Sequence, residues 1–160
     1  MDSGEAYADF VAQTLREEGY LRVQREDRVA KALGRVRGRR FIPFDVSFLA
    51  VTPVPQTYYV ECKYKSVGRA TEQDVGKFLA DLEICAIGAQ QGIVVTNRGY
   101  HPLAIDYAKA KGVRLYLLAP RRDERHSLLE ELLGRPRHLL RQLKEQAQGR
   151  VELPARFEMV

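Results

Sequence analysis

The sequence predicts an α/β domain with a mixed β-sheet flanked by helices. Three observations carry that expectation. Residues 5–18 repeat apolar side chains at the helical period, two alternating Tyr/Val/Phe-rich runs flank a Pro-rich turn, and residues 92–118 read strand, helix, strand. In the opening helix Ala6, Tyr7, Phe10, Val11, Thr14 and Leu15 share a face, and Gly19 is placed to end it. Tyr20–Val23 is a short strand candidate. The runs FIPFDVSFLAV (41–51) and TYYVECKYK (57–65), either side of Pro53-Val54-Pro55-Gln56, predict an antiparallel hairpin with a loop longer than two residues. Thr71 then caps a helix, with Asp74 at the third helical position able to reach back as in a capping box. Its apolar stripe is Val75, Phe78, Leu79, Leu82, Cys85, Ala86 and Ala89. GIVVTN (92–97) is a buried-type strand, Pro102 opens a helix to about Lys111, and VRLYLL (113–118) is a strand, so this unit calls for a parallel crossover.

The predicted order is therefore α-β-β-β-α-β-α-β over residues 1–120, with residues 121–160 as a helical C-terminal extension. Two short Leu-rich helices are expected in that extension, at about 126–133 and 137–147, separated by Gly134-Arg135-Pro136. Their apolar stripes are too narrow for an independent core, so they call for packing onto the domain or onto a second copy of the chain.

A chain of 160 residues with 45% hydrophobic and 29% charged residues fits one globular domain and argues against wholesale disorder. Its longest apolar runs fall far short of the ~20 residues needed to span a bilayer. The acidic start MDSGEAYADF has no Lys or Arg and does not read as a signal or transit peptide. Cys62 and Cys85 cannot build a disulfide framework or a four-ligand zinc site, and His101, His126 and His138 lie apart from both. The cysteines read as core residues, and the expected setting is a reducing cytoplasm. The balance is basic, 26 Lys+Arg against 21 Asp+Glu, and Arg accounts for 19 of the 26. Arg grips phosphate with paired hydrogen bonds, so this bias points weakly to a polyanionic partner.

Chemistry concentrates on the hairpin. Side chains alternate along a strand, so Glu61 and Lys63 point one way and Cys62 the other. A turn at residues 53–54 brings Asp45 opposite residue 61 or 63, leaving Phe44, Val46, Val60 and Cys62 for the opposite face. Two carboxylates and an ammonium amid apolar strands are costly to bury unless something pairs them. Two readings meet that cost. One is a structural ion-pair cluster in which Asp45 and Glu61 hold Lys63. The other is a hard-metal site, with two carboxylates binding Mg²⁺ and Lys63 orienting or deprotonating a water. Spacing alone leaves both open.

Around this triplet, residues 22–40 carry eight basic side chains against Glu26 and Asp27, and Gly34 and Gly38 give the second half the character of a mobile basic loop. Arg35, Arg37, Arg39 and Arg40 are the candidates there for phosphate contact. Gln73 and Lys77, one turn apart on the helix after the triplet, either reach a phosphate or form an exposed first turn. No aromatic platform for base stacking is evident.

Asp45 on one hairpin strand, Glu61-Cys62-Lys63 on the next and an amphipathic helix after them resemble the PD-(D/E)xK nuclease superfamily, the restriction-endonuclease-like fold. The stretch from Gly92 to Tyr100, followed by Ala104, Ala108 and Gly112-Val113-Arg114-Leu115, is similar to the strand, helix and strand of Mrr-type restriction endonuclease catalytic domains. The opening helix ending in Glu18-Gly19-Tyr20 fits as well, so the resemblance covers roughly residues 4–118. It implies metal-dependent phosphodiester hydrolysis on DNA more than RNA, in repair, recombination or defence. Asp45 and Glu61 would hold Mg²⁺ (or Mn²⁺ in its place) with the main-chain carbonyl of Cys62, and Lys63 would position the water and stabilise developing charge. Cutting two strands needs two active sites, which makes a homodimer the expected assembly.

Two positions depart from the family pattern. Ala8 stands where the first helix often carries a Glu, with Glu5 and Asp9 read as solvated helix charges. Pro43 stands one residue earlier than the usual Pro before the first acid. The missing Glu keeps a second function in view, a catalytically inactive nucleic-acid-binding or scaffolding protein with the same fold.

Overall fold

A computed structural model describes residues 3–32, 40–51, 54–120 and 152–160. The Ser3 hydroxyl accepts from the Ala6 N–H and opens helix α1, Gly4–Glu17, whose buried face is Tyr7, Ala8, Val11, Ala12, Thr14 and Leu15. Gly19, at φ 86, turns the chain into strand β1, Leu21–Ala30. Strands β2 (Phe41–Ala50) and β3 (Gln56–Lys63) form the predicted antiparallel hairpin, with Val46 opposite Val60 and Ala50 opposite Gln56.

Helix α2, Glu72–Ile84, starts at Thr71 with both bonds of the capping box in place. It ends sooner than its apolar stripe suggests, because Ala86 takes φ 56 and leaves the helix, and Ala89–Gln91 form a separate 3₁₀ turn. Strand β4 (Gly92–Thr96), helix α3 (Pro102–Lys111) and strand β5 (Arg114–Leu117) follow as expected. A Cβ on Gly92 would lie 2.6 Å from Leu82 Cδ1, so the glycine lets α2 close onto the start of β4.

The sheet runs β1-β2-β3-β4-β5-β6. β1, β2 and β3 pair antiparallel, β3, β4 and β5 pair parallel, and β6 (Glu158–Met159) closes antiparallel on β5. Residues 152–160 thus return to the domain, with Leu153 and Phe157 buried in its core. The two helices expected at 126–133 and 137–147 lie outside the described residues, as do Arg35, Arg37 and Arg39. Among the described residues no helix is long and apolar enough to cross a membrane.

The sheet separates two cores. Under α1 lie Tyr7, Val11, Leu15, Val46, Phe48, Val60, Cys62, Ile93 and Tyr116. Under α2 and α3 lie Phe44, Val75, Phe78, Leu82, Val94, Ala104, Ala108 and Leu115.

Two expectations change here. β1 reaches Ala30 rather than stopping at Val23, because the alternate residues Val23, Arg25, Asp27 and Val29 are half-buried although two of the four are charged. Phe44 sits under α2, not on the side of Val46, Val60 and Cys62. The physical reason is a change of phase in β1 and β2. Val23 packs on the α1 side and Val29 on the α2 side, with Glu26 at φ 49 between them. The partner strand changes face across Asp45, which with Glu26 falls between the register pairs Arg25–Val46 and Asp27–Phe44.

Candidate active site

The phase change fixes the surroundings of Asp45. The β2–β3 register ends at Val46–Val60, and the next N–H of β3 on that edge, from Cys62, donates to Asp45 Oδ2 at 2.8 Å. The carboxylate is thereby pinned against the main chain of the Glu61-Cys62-Lys63 segment. Glu61 and Lys63 leave β3 on the α2 face as predicted, and Lys63 Nζ lies 2.6 Å from Glu61 Oε1, with side-chain exposures of 21% and 18%. Asp45, Glu61 and Lys63 are therefore together.

Electrostatics follow from that packing. Burial pushes the Glu61 carboxyl above its ordinary 4.5, the nearby Asp45 pushes it further, and Lys63 opposes both. Burial pulls Lys63 down, but its attraction to Glu61 and the hydrogen bond between them hold it above 10.5. Lys63 is thus an ammonium at neutral pH in the metal-free chain, suited to orienting a group and stabilising negative charge, and unable to accept a proton there. Cys62 is buried on the opposite face, and burial followed by the two carboxylates raises its thiol far above its ordinary range. The thiol is inert, in line with its expected role as a core residue. Cys85 is buried as well.

A cleft of about 750 Å³ opens beside Asp45, lined by Glu26, Arg28, Arg40, Phe41, Pro43, Phe44 and Asp45. Arg40, a predicted phosphate contact, is exposed on its wall and Arg28 joins it. Gln73 and Lys77 are exposed on the first turns of α2. Lys65, two residues past Lys63, is tied to Asp74 Oδ2 at 2.9 Å.

Two charged residues at the site were not singled out from sequence. Asp81 on α2 is raised by burial against the opposing pull of Lys77, Lys63 and Lys31, and its charge is felt at Glu61. Its signal was present, since Asp74, Lys77 and Asp81 repeat at helical spacing beside the buried stripe of Val75, Phe78 and Leu82. The second is Arg25, read only as one of eight basic residues. Its guanidinium bonds Asp9 Oδ1 at 2.7 Å and donates to the Asp45 carbonyl. Asp9, expected as a solvated helix charge, is 69% exposed and also pairs with Arg25. Glu5 is exposed and Ala8 is buried in the core.

Among the described residues no three His, Cys, Asp or Glu side chains cluster as a metal cage. A hard cation such as Mg²⁺ does not require one, because it keeps several waters and binds through one or two carboxylates. The donors present fit that pattern. Glu61 is half-buried within electrostatic reach of Asp45, and burial first and Asp45 second raise its carboxyl despite Lys63.

Comparison with known proteins bears on the fold and the family. A solved structure titled as a protein of unknown function, AF1548, shares the fold with a TM-score of 0.58 at 17% identity, covering 84% of this chain and 67% of that one. No functionally curated protein matches the sequence. The Mrr catalytic-domain family model, described as restriction endonuclease, matches residues 2–119. That match spans the site and every element from α1 to β5, and the chain belongs to the Mrr-type restriction endonuclease catalytic-domain family.

Proposed function

We propose that this domain is a Mg²⁺-dependent DNA endonuclease whose catalytic group is Asp45, Glu61 and Lys63. The observation that carries the reading is the Asp45 carboxylate held on the Cys62 N–H where the β2–β3 ladder ends, within electrostatic reach of Glu61, with Lys63 at 2.6 Å from Glu61. The metal ligands would be Asp45, Glu61 and the main-chain carbonyl of Cys62, which an extended strand directs to the same edge as its N–H. A bound Mg²⁺ or Mn²⁺ supplies Lewis-acid polarisation of the scissile phosphate and an activated water. Lys63 orients that water and stabilises charge developing on the phosphate oxygens. Arg28 and Arg40, on the cleft beside Asp45, hold the flanking backbone, joined by Arg35, Arg37 and Arg39 and, from α2, by Gln73 and Lys77. The proposed setting is repair, recombination or defence, with branched or nicked DNA as substrate. A homodimer formed through residues 121–160 would supply the second active site.

The test is cleavage of a panel of linear and branched DNAs with Mg²⁺, Mn²⁺ and EDTA. Wild type cuts only with metal, and Asp45→Ala, Glu61→Ala and Lys63→Ala each lose about 10²–10³-fold. Full activity in all three variants overturns the assignment.

A second reading has one observation in its favour. Ala8 leaves α1 without an acid at the metal, and Asp9 is engaged by Arg25. An inactive DNA-binding relative would bind the same panel in EDTA and cut none of it with either metal.

A further inference from the structure

We propose that Arg25 is the positioning residue for Asp45, with Asp9 of α1 as its anchor. The inference rests on the nuclease reading above and adds a residue outside the catalytic triplet. Its starting point is a gap in the sheet. The β1–β2 register passes from Arg25–Val46 to Asp27–Phe44, and the intervening Glu26–Asp45 position is missing from it. Both strands change face there, with Glu26 at φ 49. Asp45 thus sits at the one place in the β1–β2–β3 hairpins where the ladder is interrupted on one side and ended on the other.

The Arg25 guanidinium bridges that gap. One nitrogen donates to the Asp45 carbonyl and another binds Asp9 Oδ1 at 2.7 Å. On the far side Asp45 Oδ2 takes the Cys62 N–H at 2.8 Å. A continuous chain of contacts therefore runs from α1 through Arg25 and Asp45 to the segment carrying Glu61 and Lys63. The planar fork presents two separate nitrogens, one to the carboxylate and one to the carbonyl, which the single ammonium of Lys does not reproduce, so Lys replaces Arg here incompletely. Ala8 on the buried face of α1 is apolar, and the neighbouring Asp9 acts on the site through Arg25. Both ends of the Arg25 fork are thus engaged within the domain, one by Asp9 Oδ1 and one by the Asp45 carbonyl.

The experiment compares full-length wild type, Arg25→Gln, Arg25→Lys and Asp9→Ala by Mn²⁺ calorimetry, cleavage kinetics and the salt dependence of DNA binding in EDTA. Arg25→Gln is expected to weaken Mn²⁺ binding and lower kcat by about 10–100-fold, the range for partners that orient a metal ligand. KM and the salt slope stay at the wild-type value. Arg25→Lys and Asp9→Ala fall between wild type and Arg25→Gln, and they serve as the test if Arg25→Gln fails to fold by circular dichroism. Mn²⁺ affinity and kcat within twofold of wild type in all three variants overturn the proposal. So does a salt slope lower by about one in Arg25→Gln with kcat unchanged, the signature of a lost phosphate contact. A wild type that binds Mn²⁺ yet cuts nothing removes the nuclease reading alone, and the calorimetric comparison still decides Arg25.

Discussion

The two faces of the hairpin put opposite demands on neighbouring residues. On the α1 side, Val46, Phe48, Val60 and Cys62 are at most 8% exposed and meet Tyr7, Val11 and Leu15 of the helix. On the α2 side, one residue further along the same strand, Glu61 and Lys63 are charged and about a fifth exposed. The first face stabilises the sheet through apolar contact. The second holds a half-buried carboxylate beside Asp45 at a cost to folding that Lys63 only partly offsets, as the Glu61 carboxyl, raised first by burial and then by Asp45, records. Alternation along β3 is what lets one strand do both, with Cys62 lending its side chain to the apolar core and its main chain to Asp45.

The largest expected effect separates the faces most sharply. Glu61→Gln should lower cleavage about 10²–10⁴-fold, the span for a group acting on the reacting atoms. Stability should move the other way. Because the folded carboxyl titrates above 4.5, the folded chain binds more protons than the unfolded one just above that pH, and stability falls as pH rises through the window. Removing the charge removes that loss, so thermal melts at neutral pH should show a midpoint equal to or above wild type. A midpoint well below it would make Glu61 a structural ion-pair partner of Lys63, and the faces would not differ in kind.

The converse substitution is on the α1 side. Phe48 is fully buried, with ring centroids 4.6 Å from Tyr20 and 5.5 Å from Tyr58. Phe48→Ala should cost about 3–5 kcal/mol in urea unfolding. Cleavage per folded molecule should hold, since Phe48 touches neither the triplet nor its supports. A parallel loss of activity at temperatures where the variant is folded would mean the α1 core tunes the site.

The same contrast explains what sequence reading reaches. Strict alternation in TYYVECK made β3, its two faces and the Glu61–Lys63 pair legible, and Thr71 with Asp74 made the start of α2 legible. Both are local patterns with one physical solution. β1 was cut short because its inward positions Arg25 and Asp27 are charged, so no apolar period marks it. Phe44 was assigned to the wrong face because alternation assumes an unbroken pleat, and the pleat turns over at Asp45 and Glu26. The support from Asp9 through Arg25 to Asp45 follows from that turn, and no spacing in the sequence announces it.

A smaller effect tests the approach of α2 to the charged face. Thr71 accepts from the Asp74 N–H, Asp74 Oδ2 takes the Thr71 N–H at 2.8 Å, and Lys65 pairs with the same oxygen at 2.9 Å. Thr71→Ala should cost about 1 kcal/mol by denaturant titration. Burial raises Asp74, but its bonds to Lys65 and Thr71 win and hold it below 3.8. Its contribution is therefore full above 3.8 and lost as pH falls through its folded value. The gap between wild type and Thr71→Ala should narrow in that acid range, because the Thr71 hydroxyl loses the Asp74 carboxylate but keeps the Asp74 N–H, and a gap that stays constant with pH would mean the cap acts without the carboxylate.

The smallest effect probes an exception on the apolar side. Arg114 pairs with Ile93 in the β4–β5 register and lays its guanidinium 5.3 Å from the Tyr58 ring centroid, placing a cation on the α1 face. Among the described residues both terminal nitrogens are buried without a hydrogen-bond partner. An unsatisfied buried donor costs about 1–3 kcal/mol, against about 0.5–1 kcal/mol returned by a cation–π contact. If the α1 face is dry as its neighbours indicate, Arg114→Met keeps the packing, removes the unpaired charge and raises stability by up to about 1 kcal/mol. Denaturant midpoints of the two chains measure it directly. A loss of stability instead would show that Arg114 pairs with an anion in the folded chain, and the apolar face would then carry a polar contact of its own.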